Sequence, residues 1–224
     1  MIDWQAVTLT LKLALVSTLL LLVIGIPLAW WLSQTRSVWK NTIDTIITLP
    51  LILPPTVLGY YLLVAFSPEA FAGEIWMTLF GSSLVFSFSG LVLGSMLYSL
   101  PFVVQPIRDG FKSIDASLLN VAQTMGANRW QRFYLVALPL GRPMLVTGSL
   151  LGFAHTIGEF GVVLLIGGNI PGETRVVSIA LFDYVESLQM QQANALAGLL
   201  LMFSFVVLYA VNHFNKRFTF QHSS

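Results

Sequence analysis

The chain has 224 residues, of which 56% are hydrophobic and 9% charged, with a mean hydropathy of +0.80 and a formal net charge of +1. A soluble domain carries about 25% charged residues, so most of this surface faces something other than water, and lipid is the simplest answer. The balanced charge gives no nucleic-acid signal, and with no cysteine there is no disulfide framework, thiolate metal site or thiol nucleophile.

The sequence predicts an all-α integral membrane protein, a single domain over 1–224. Its start, Met1-Ile2-Asp3-Trp4-Gln5, is acidic where a cleaved signal opens basic, so the first apolar segment is read as retained. A spanning helix takes about 20 apolar residues. Five segments qualify, at about 13–32, 46–66, 84–107, 143–166 and 193–211. The fourth is interrupted by Glu159. The stretch Thr174 to Met190 carries Arg175, Asp183 and Glu186 and is read as an interfacial or re-entrant helix. Gly25 and Pro27 in the first span, Pro54-Pro55 in the second, and Pro101 and Pro106 in the third disturb their helices. Two readings stay open: ordinary kinks in a packed bundle, or bends that shape a path or hinge.

Basic residues orient the spans. With the N-terminus outside and the C-terminus cytoplasmic, all but Lys12 and Arg175 of the 11 basic residues fall on the cytoplasmic side: Arg36, Lys40, Arg108, Lys112, Arg129, Arg132, Arg142, Lys216 and Arg217. Most tryptophans fall near span boundaries, as interface anchors do.

The longest cytoplasmic loop, 108–142, is not a plain connector. Asp115 is a plausible N-cap for a short helix over Ala116 to Met125. Leu118, Ala122 and Met125 recur on one helical face. Gly126 suits the left-handed residue that ends a helix, Asn128 can cap a second short helix through Arg129 to Phe133, and Leu138-Pro139 predicts a turn before the next span. So short a helix is marginal alone, so its apolar face wants a partner, either the protein's own surface or a groove on another protein.

The run Asn120-Val121-Ala122-x-x-x-Gly126, followed nine residues later by Val136-Ala137-Leu138-Pro139, resembles the "EAA" loop of type I ABC importer permeases. Asn120 and Val121 replace that pattern's Glu and first Ala, so a charge contact made by the Glu does not carry over. Leu49 to Tyr60, Gly158-Glu159-Phe160-Gly161 and Asn169-Ile170-Pro171-Gly172-Glu173-Thr174-Arg175 resemble the molybdate branch of that family, with tungstate and sulfate permeases as near relatives. The resemblance implies a multi-pass protein of the bacterial inner membrane that acts as a homodimer. Two cytoplasmic ATPase subunits that bind ATP and Mg would grip the loop residues Asp115, Leu118, Asn120, Val121, Ala122, Met125, Gly126, Arg129, Leu138 and Pro139. A periplasmic oxyanion-binding protein would deliver the anion. The chain has no phosphate-cradling Gly-x-x-x-x-Gly-Lys loop, so it is expected to be no enzyme and to bind no cofactor itself.

Glu159 is the one acid inside a span and so a functional suspect, as a gate or path residue or as a structural hydrogen-bonding group. Counted from Pro143, it sits about 24 Å along a core about 30 Å thick. A carboxylate would repel an oxyanion, so it is no direct ligand. His155, one turn earlier, can share a hydrogen bond with Glu159 or pack as a buried neutral ring. Thr56, Phe160, Gly161 and Arg175 complete the candidate path or gate, Arg175 meeting an anion or docking the binding protein, or else pairing with an acid or headgroups. No lysine or arginine lies within the spans. The anion would therefore meet hydroxyls, backbone amides and water, with Thr56, Ser87, Ser89, Ser95, Ser99, Thr147, Ser149 and Thr156 as candidates, and no metal site is expected. Competing readings are a stand-alone channel or proton-coupled carrier, which needs more intramembrane ionisable groups, and a non-transporting assembly factor.

Overall fold

The computed structural model describes residues 2–219, with side chains to His213. Lys216 and Arg217, expected on the cytoplasmic side, lie outside the described side chains. The described residues form helices and no strand. In order they are α1 (Trp4–Gln34), α2 (Lys40–Thr48), α3 (Pro55–Phe66), α4 (Phe71–Phe80), α5 (Phe88–Lys112), α6 (Ala116–Thr124), α7 (Arg129–Gln131), α8 (Leu138–Leu140), α9 (Arg142–Gly158), α10 (Gly161–Gly167), α11 (Val177–Glu186) and α12 (Met190–Thr219). Three helices, α1, α5 and α12, are long and apolar enough to cross a membrane, and the number is five if each of two bent pairs is one span.

The core is a pair of parallel helices. Leu13 of α1 clusters with Leu91 and Val92 of α5, and Gly25 of α1 lies against Val103 and Val104. Both helices pass their prolines, Pro27, Pro101 and Pro106, without breaking, because packed neighbours hold the line. Against α5, running the opposite way, lie α9 and then α10. Gly148 and Gly152 carry no side chain where Val103 and Ile107 press in, and Gly94 leaves room for Ile166. Backbones approach closely along this seam, as small residues allow in apolar surroundings. α12 starts at the same end as α1 and runs parallel to it, its Leu196 buried with Ala6, Val7 and Ala180.

The second predicted span is not one helix. α2 and a 3₁₀ turn at Leu49–Leu51 meet α3 at 111°. Pro54 is extended, at φ −54° and ψ 135°, because a residue before proline avoids the helical region, while Pro55 suits a helix start. α3, at about 18 Å, is shorter than a bilayer core of about 30 Å. The fourth span breaks at Glu159 and Phe160, both outside helical geometry. The two half-helices α3 and α10 start at one level, Pro55 against Gly161, and run side by side, with Gly59 facing Val162 and Leu165. The apolar helix α4 was not foreseen from the sequence.

All seven of Arg36, Lys40, Arg108, Lys112, Arg129, Arg132 and Arg142 fall at the bundle end that carries α6, where Arg108 pairs with Asp44. Arg175 and Lys12 fall at the other end. There Lys12 lies 4.6 Å from the Phe88 ring and α11, too short to span, packs on the start of α1 through a hydrogen bond from Val177 N–H to Thr10 Oγ1 (2.8 Å).

Candidate functional site: a pocket at the helix breaks and an exposed coupling element

The two helix breaks open onto a pocket of about 430 Å³ lined by Pro55, Thr56, Tyr98, Ala154, His155, Gly158, Glu159, Phe160 and Gly161. It gathers five of the six residues predicted for a path or gate: Thr56, His155, Glu159, Phe160 and Gly161. A second hollow of about 260 Å³, lined by Leu51, Pro101, Phe102, Gln105, Pro106, Asp109 and Leu151, lies further along the same α5–α9 face. Tyr98, Phe102, Gln105 and Asp109 step along that face of α5 toward the α6 end. Pro101 and Pro106, which do not break the helix, thus line a groove.

Glu159 is 4% exposed, and neither carboxyl oxygen has a hydrogen-bond partner among the described residues. The buried Ser95 hydroxyl is the hydrogen-bonding group beside it. The backbone at this break is held from outside, since the Ser178 hydroxyl donates to the Glu159 carbonyl. Of the two readings open for His155, the hydrogen bond to Glu159 is not formed among the described residues. His155 instead places Nδ1 2.9 Å from Ser99 Oγ and stacks on Phe102, with centroids 3.9 Å apart. The extended residue at 159 turns the carboxyl away from a partner one helical turn back.

Arg175 stands apart. It bonds Asp183 (2.8 Å), lies 3.6 Å from Asp3 and sits over Tyr184. It ties the start of α1 to α11 and lines no part of the pocket. Residues 169–174 form a turn, with Thr174 Oγ1 donating to the Gly167 carbonyl (2.6 Å) and Gly172 at φ +82°. Most candidate hydroxyls are already engaged. Thr147 and Ser149 bond carbonyls one turn back in α9, Ser87 caps α5 and meets Ser89, and Ser99 meets Thr156 at 3.0 Å. Thr56 is exposed on the pocket wall.

At the far end, the loop folds as a capped unit. Asp115 accepts from the Ser117 amide (2.8 Å), and that amide, then the Ser117 hydroxyl, holds its carboxyl below the ordinary aspartate range. Gly126 closes α6 at φ +86°, a left-handed conformation that disfavours a side chain. Asn128 and Gln131 form a reciprocal capping box at α7. The buried anchor of α6 is Leu119, with Ala122 half-buried. Leu118 (48% exposed), Val121 (56%) and Met125 (82%) face outward, so the single face predicted from Leu118, Ala122 and Met125 is in fact two. Asn120 and Arg129 are exposed beside it. Leu138 and Pro139 do not make the predicted turn. The chain passes them as a π-helical stretch (Arg132–Ala137) followed by α8, with the proline near a helix start where its missing N–H is tolerated. The 73° bend comes at Gly141, where a side chain would strike Phe111 and the Ala137 carbonyl.

Tyr98, Ser95 and Phe102 were not singled out as a group from the sequence. An aromatic inside an otherwise apolar span carries no contrast, and only the α5–α9 pairing gives it a partner.

An all-helical bundle with broken inner helices and a capped amphipathic turn at one end defines a membrane permease. The family of binding-protein-dependent transport system inner membrane components matches residues 12–220, and the chain belongs to it; it is a multi-pass inner-membrane transport component. Among curated relatives, the molybdenum transport system permease protein ModB of Azotobacter vinelandii is 51% identical over 216 residues, 96% of this chain and 95% of that one. ModB of Escherichia coli K12 is 39% identical (83% and 81% covered), and the sulfate transport permease CysT of the same organism 34% (93% and 75%). The fold matches a chain of a bacterial alginate ABC transporter solved with a periplasmic protein (TM-score 0.76, 19% identity, 96% and 78% covered). It also matches one of the MetNI methionine ABC transporter (TM-score 0.69, 17%, 93% and 92%).

Proposed function

We propose that this chain is the translocating subunit of an ATP-driven molybdate importer, working as a pair of identical subunits. The observation that carries the mechanism is the outward face of α6. Leu118, Val121 and Met125 stand exposed on a rigidly capped helix at the end of the bundle rich in basic residues, the end that faces the cytoplasm by the positive-inside rule. Such a face fits a groove in a cytoplasmic ATPase, one per subunit, and the ATPase supplies the ATP and Mg chemistry. The molybdate assignment is supported by relatives named for molybdenum transport across nearly their whole length.

The path in this reading follows the α5–α9 groove from the pocket at Glu159 toward α6, with the second subunit forming its other wall. The lining of the pocket at the breaks holds no lysine or arginine. An oxyanion there meets hydroxyl, backbone amide and water, so passage is loose and selectivity belongs to a periplasmic binding protein. Glu159 borders the passage as a gate residue and not as a ligand.

The test is uptake into proteoliposomes carrying the chain, its ATPase and its binding protein. ATP-dependent accumulation of molybdate in preference to sulfate is expected. Sulfate preferred over molybdate would move the substrate to the sulfate branch and leave the importer reading standing. Uptake without the ATPase would overturn the importer reading itself.

A further inference from the structure

At the α6 end, a pocket of about 460 Å³ is lined by Trp30, Trp31, Gln34 and Thr35 from the end of α1 and by Leu119, Arg129 and Arg132 from the coupling element. Its floor is rigid. Trp30 meets the edge of Phe111 at 5.4 Å and tilts against Phe133 at 5.6 Å between centroids. Its wall carries two guanidinium groups. Arg132 Nη1 bonds Gln123 Oε1 at 2.9 Å, while its Nε is buried with no partner. A buried unpaired donor on a charged group is costly unless something reaches it. No ion pair engages Arg129 or Arg132 among the described residues.

We propose that this pocket binds the phosphate of an anionic phospholipid headgroup. Guanidinium groups pair with phosphate oxygens through parallel N–H donors, and basic pockets beside membrane helices on the cytoplasmic side take anionic headgroups. Depth selects the lipid over a free ion. The 31 residues of α1 make about 46 Å of helix, about the thickness of a bilayer with its headgroup layers. Its last turn, with Trp30 and Trp31, therefore lies at headgroup level, where indoles sit. Trp31 is 41% exposed and offers an apolar flank to acyl chains. The negative end of the α1 dipole opposes an anion there only weakly beside two full positive charges. The occupant would bridge α1 to the coupling element, since Leu119 of α6 is part of the wall.

The experiment is a titration of the full-length chain, purified in neutral detergent, with brominated phosphatidylglycerol and, separately, brominated phosphatidylcholine, read by tryptophan quenching. Saturable quenching by phosphatidylglycerol is expected, with phosphatidylcholine far weaker. The double variant R129Q/R132Q is expected to weaken it about thirtyfold, at about tenfold per 1.4 kcal/mol and near 1 kcal/mol per charge. A control pair, K112Q/R142Q, removes two charges from the same end outside the pocket and is expected to change little. Should the double variant fail to fold, R129Q alone, at an exposed side chain, is expected to weaken binding about fivefold. Equal binding of the two lipids, or equal weakening by the control pair, overturns the proposal. Displacement by millimolar inorganic phosphate or molybdate assigns the pocket to a free oxyanion and overturns the lipid. Displacement by an added ATPase subunit assigns it to a protein carboxylate and overturns it equally.

Discussion

Ser99 Oγ lies 2.9 Å from His155 Nδ1, linking α5 to α9 beside the pocket at the helix breaks. The same hydroxyl meets Thr156, so one small side chain serves two residues of the neighbouring helix. Hydrogen bonds between membrane helices average about 0.6 kcal/mol each. Ser99→Ala is expected to cost about 1 kcal/mol, read as a lowered melting temperature of the detergent-purified chain. His155→Ala in the Ser99→Ala background should then cost less than His155→Ala alone.

Glu159 is buried with both carboxyl oxygens unpaired, an arrangement suited to a partner that arrives in another conformation. Glu159→Gln keeps shape and removes the acid. It is expected to leave folding intact and to slow molybdate uptake about tenfold, the effect of losing one hydrogen bond to a charged group. Uptake at the unaltered rate would reduce Glu159 to a structural residue.

The exposed stripe of α6 is expected to be the ATPase contact. Burying one large apolar side chain contributes about 1.5–3 kcal/mol. Leu118→Ser with Met125→Ser should therefore weaken association by about a hundredfold or more, measured by co-purification and by titration with the ATPase. Because both residues face outward, the melting temperature of the chain alone should hardly move.

Gly126 sits at φ +86° with open space around it. Gly126→Ala therefore meets no clash, only the left-handed penalty of about 1–2 kcal/mol. Gly126→Pro goes further, since it fixes φ near −65° and removes the amide that bonds Gln123. Loss of ATPase association is expected to be partial for alanine and near complete for proline. The N-cap follows pH in a defined sense. The Asp115 carboxyl is held below its ordinary range, so its capping contribution is full above the unfolded pKa and is lost as pH falls through the folded one. Amide exchange in α6 should speed up only in that acid range.

Arg175 is expected to act on stability and not on passage. Arg175→Ala should cost about 1 kcal/mol, in the range of partly exposed ion pairs. Half-saturation for molybdate uptake should stay unchanged, because the side chain contacts Asp3 and Asp183 and not the pocket wall.

The long spans were legible because a run such as Leu13 to Leu32 has no other stable home. The loop was legible because Asp115, Gly126 and Asn128 are chemically committed to caps and a left-handed residue. Five pocket residues were legible for a different reason, since an acid flanked by glycines and a Pro-Pro step both stand out in apolar sequence. What could not be read was pairing. Nothing local says that Pro55 meets Gly161, or that His155 prefers Ser99 to Glu159. The burial of Leu119 rather than Leu118 depends on which side of α6 the π-helical stretch occupies. The turn at Gly141 was displaced from Leu138-Pro139 because a proline near a helix start breaks nothing.

The two interrupted spans share one geometry. α3 begins just after the bend at residues 52–54, α10 begins just after the break at 159 and 160, and they lie flank to flank. The seam of α5 with α9 is pinned by close backbone contact, so it moves as a slab. α10 belongs to that slab, its Ile166 seated at Gly94 of α5, and α3 leans on α10 through Gly59. The corners at 52–54 and 159–160 turn the chain at one height while the packing holds both half-helices, so a tug at the loop end reaches the passage through the slab as a whole.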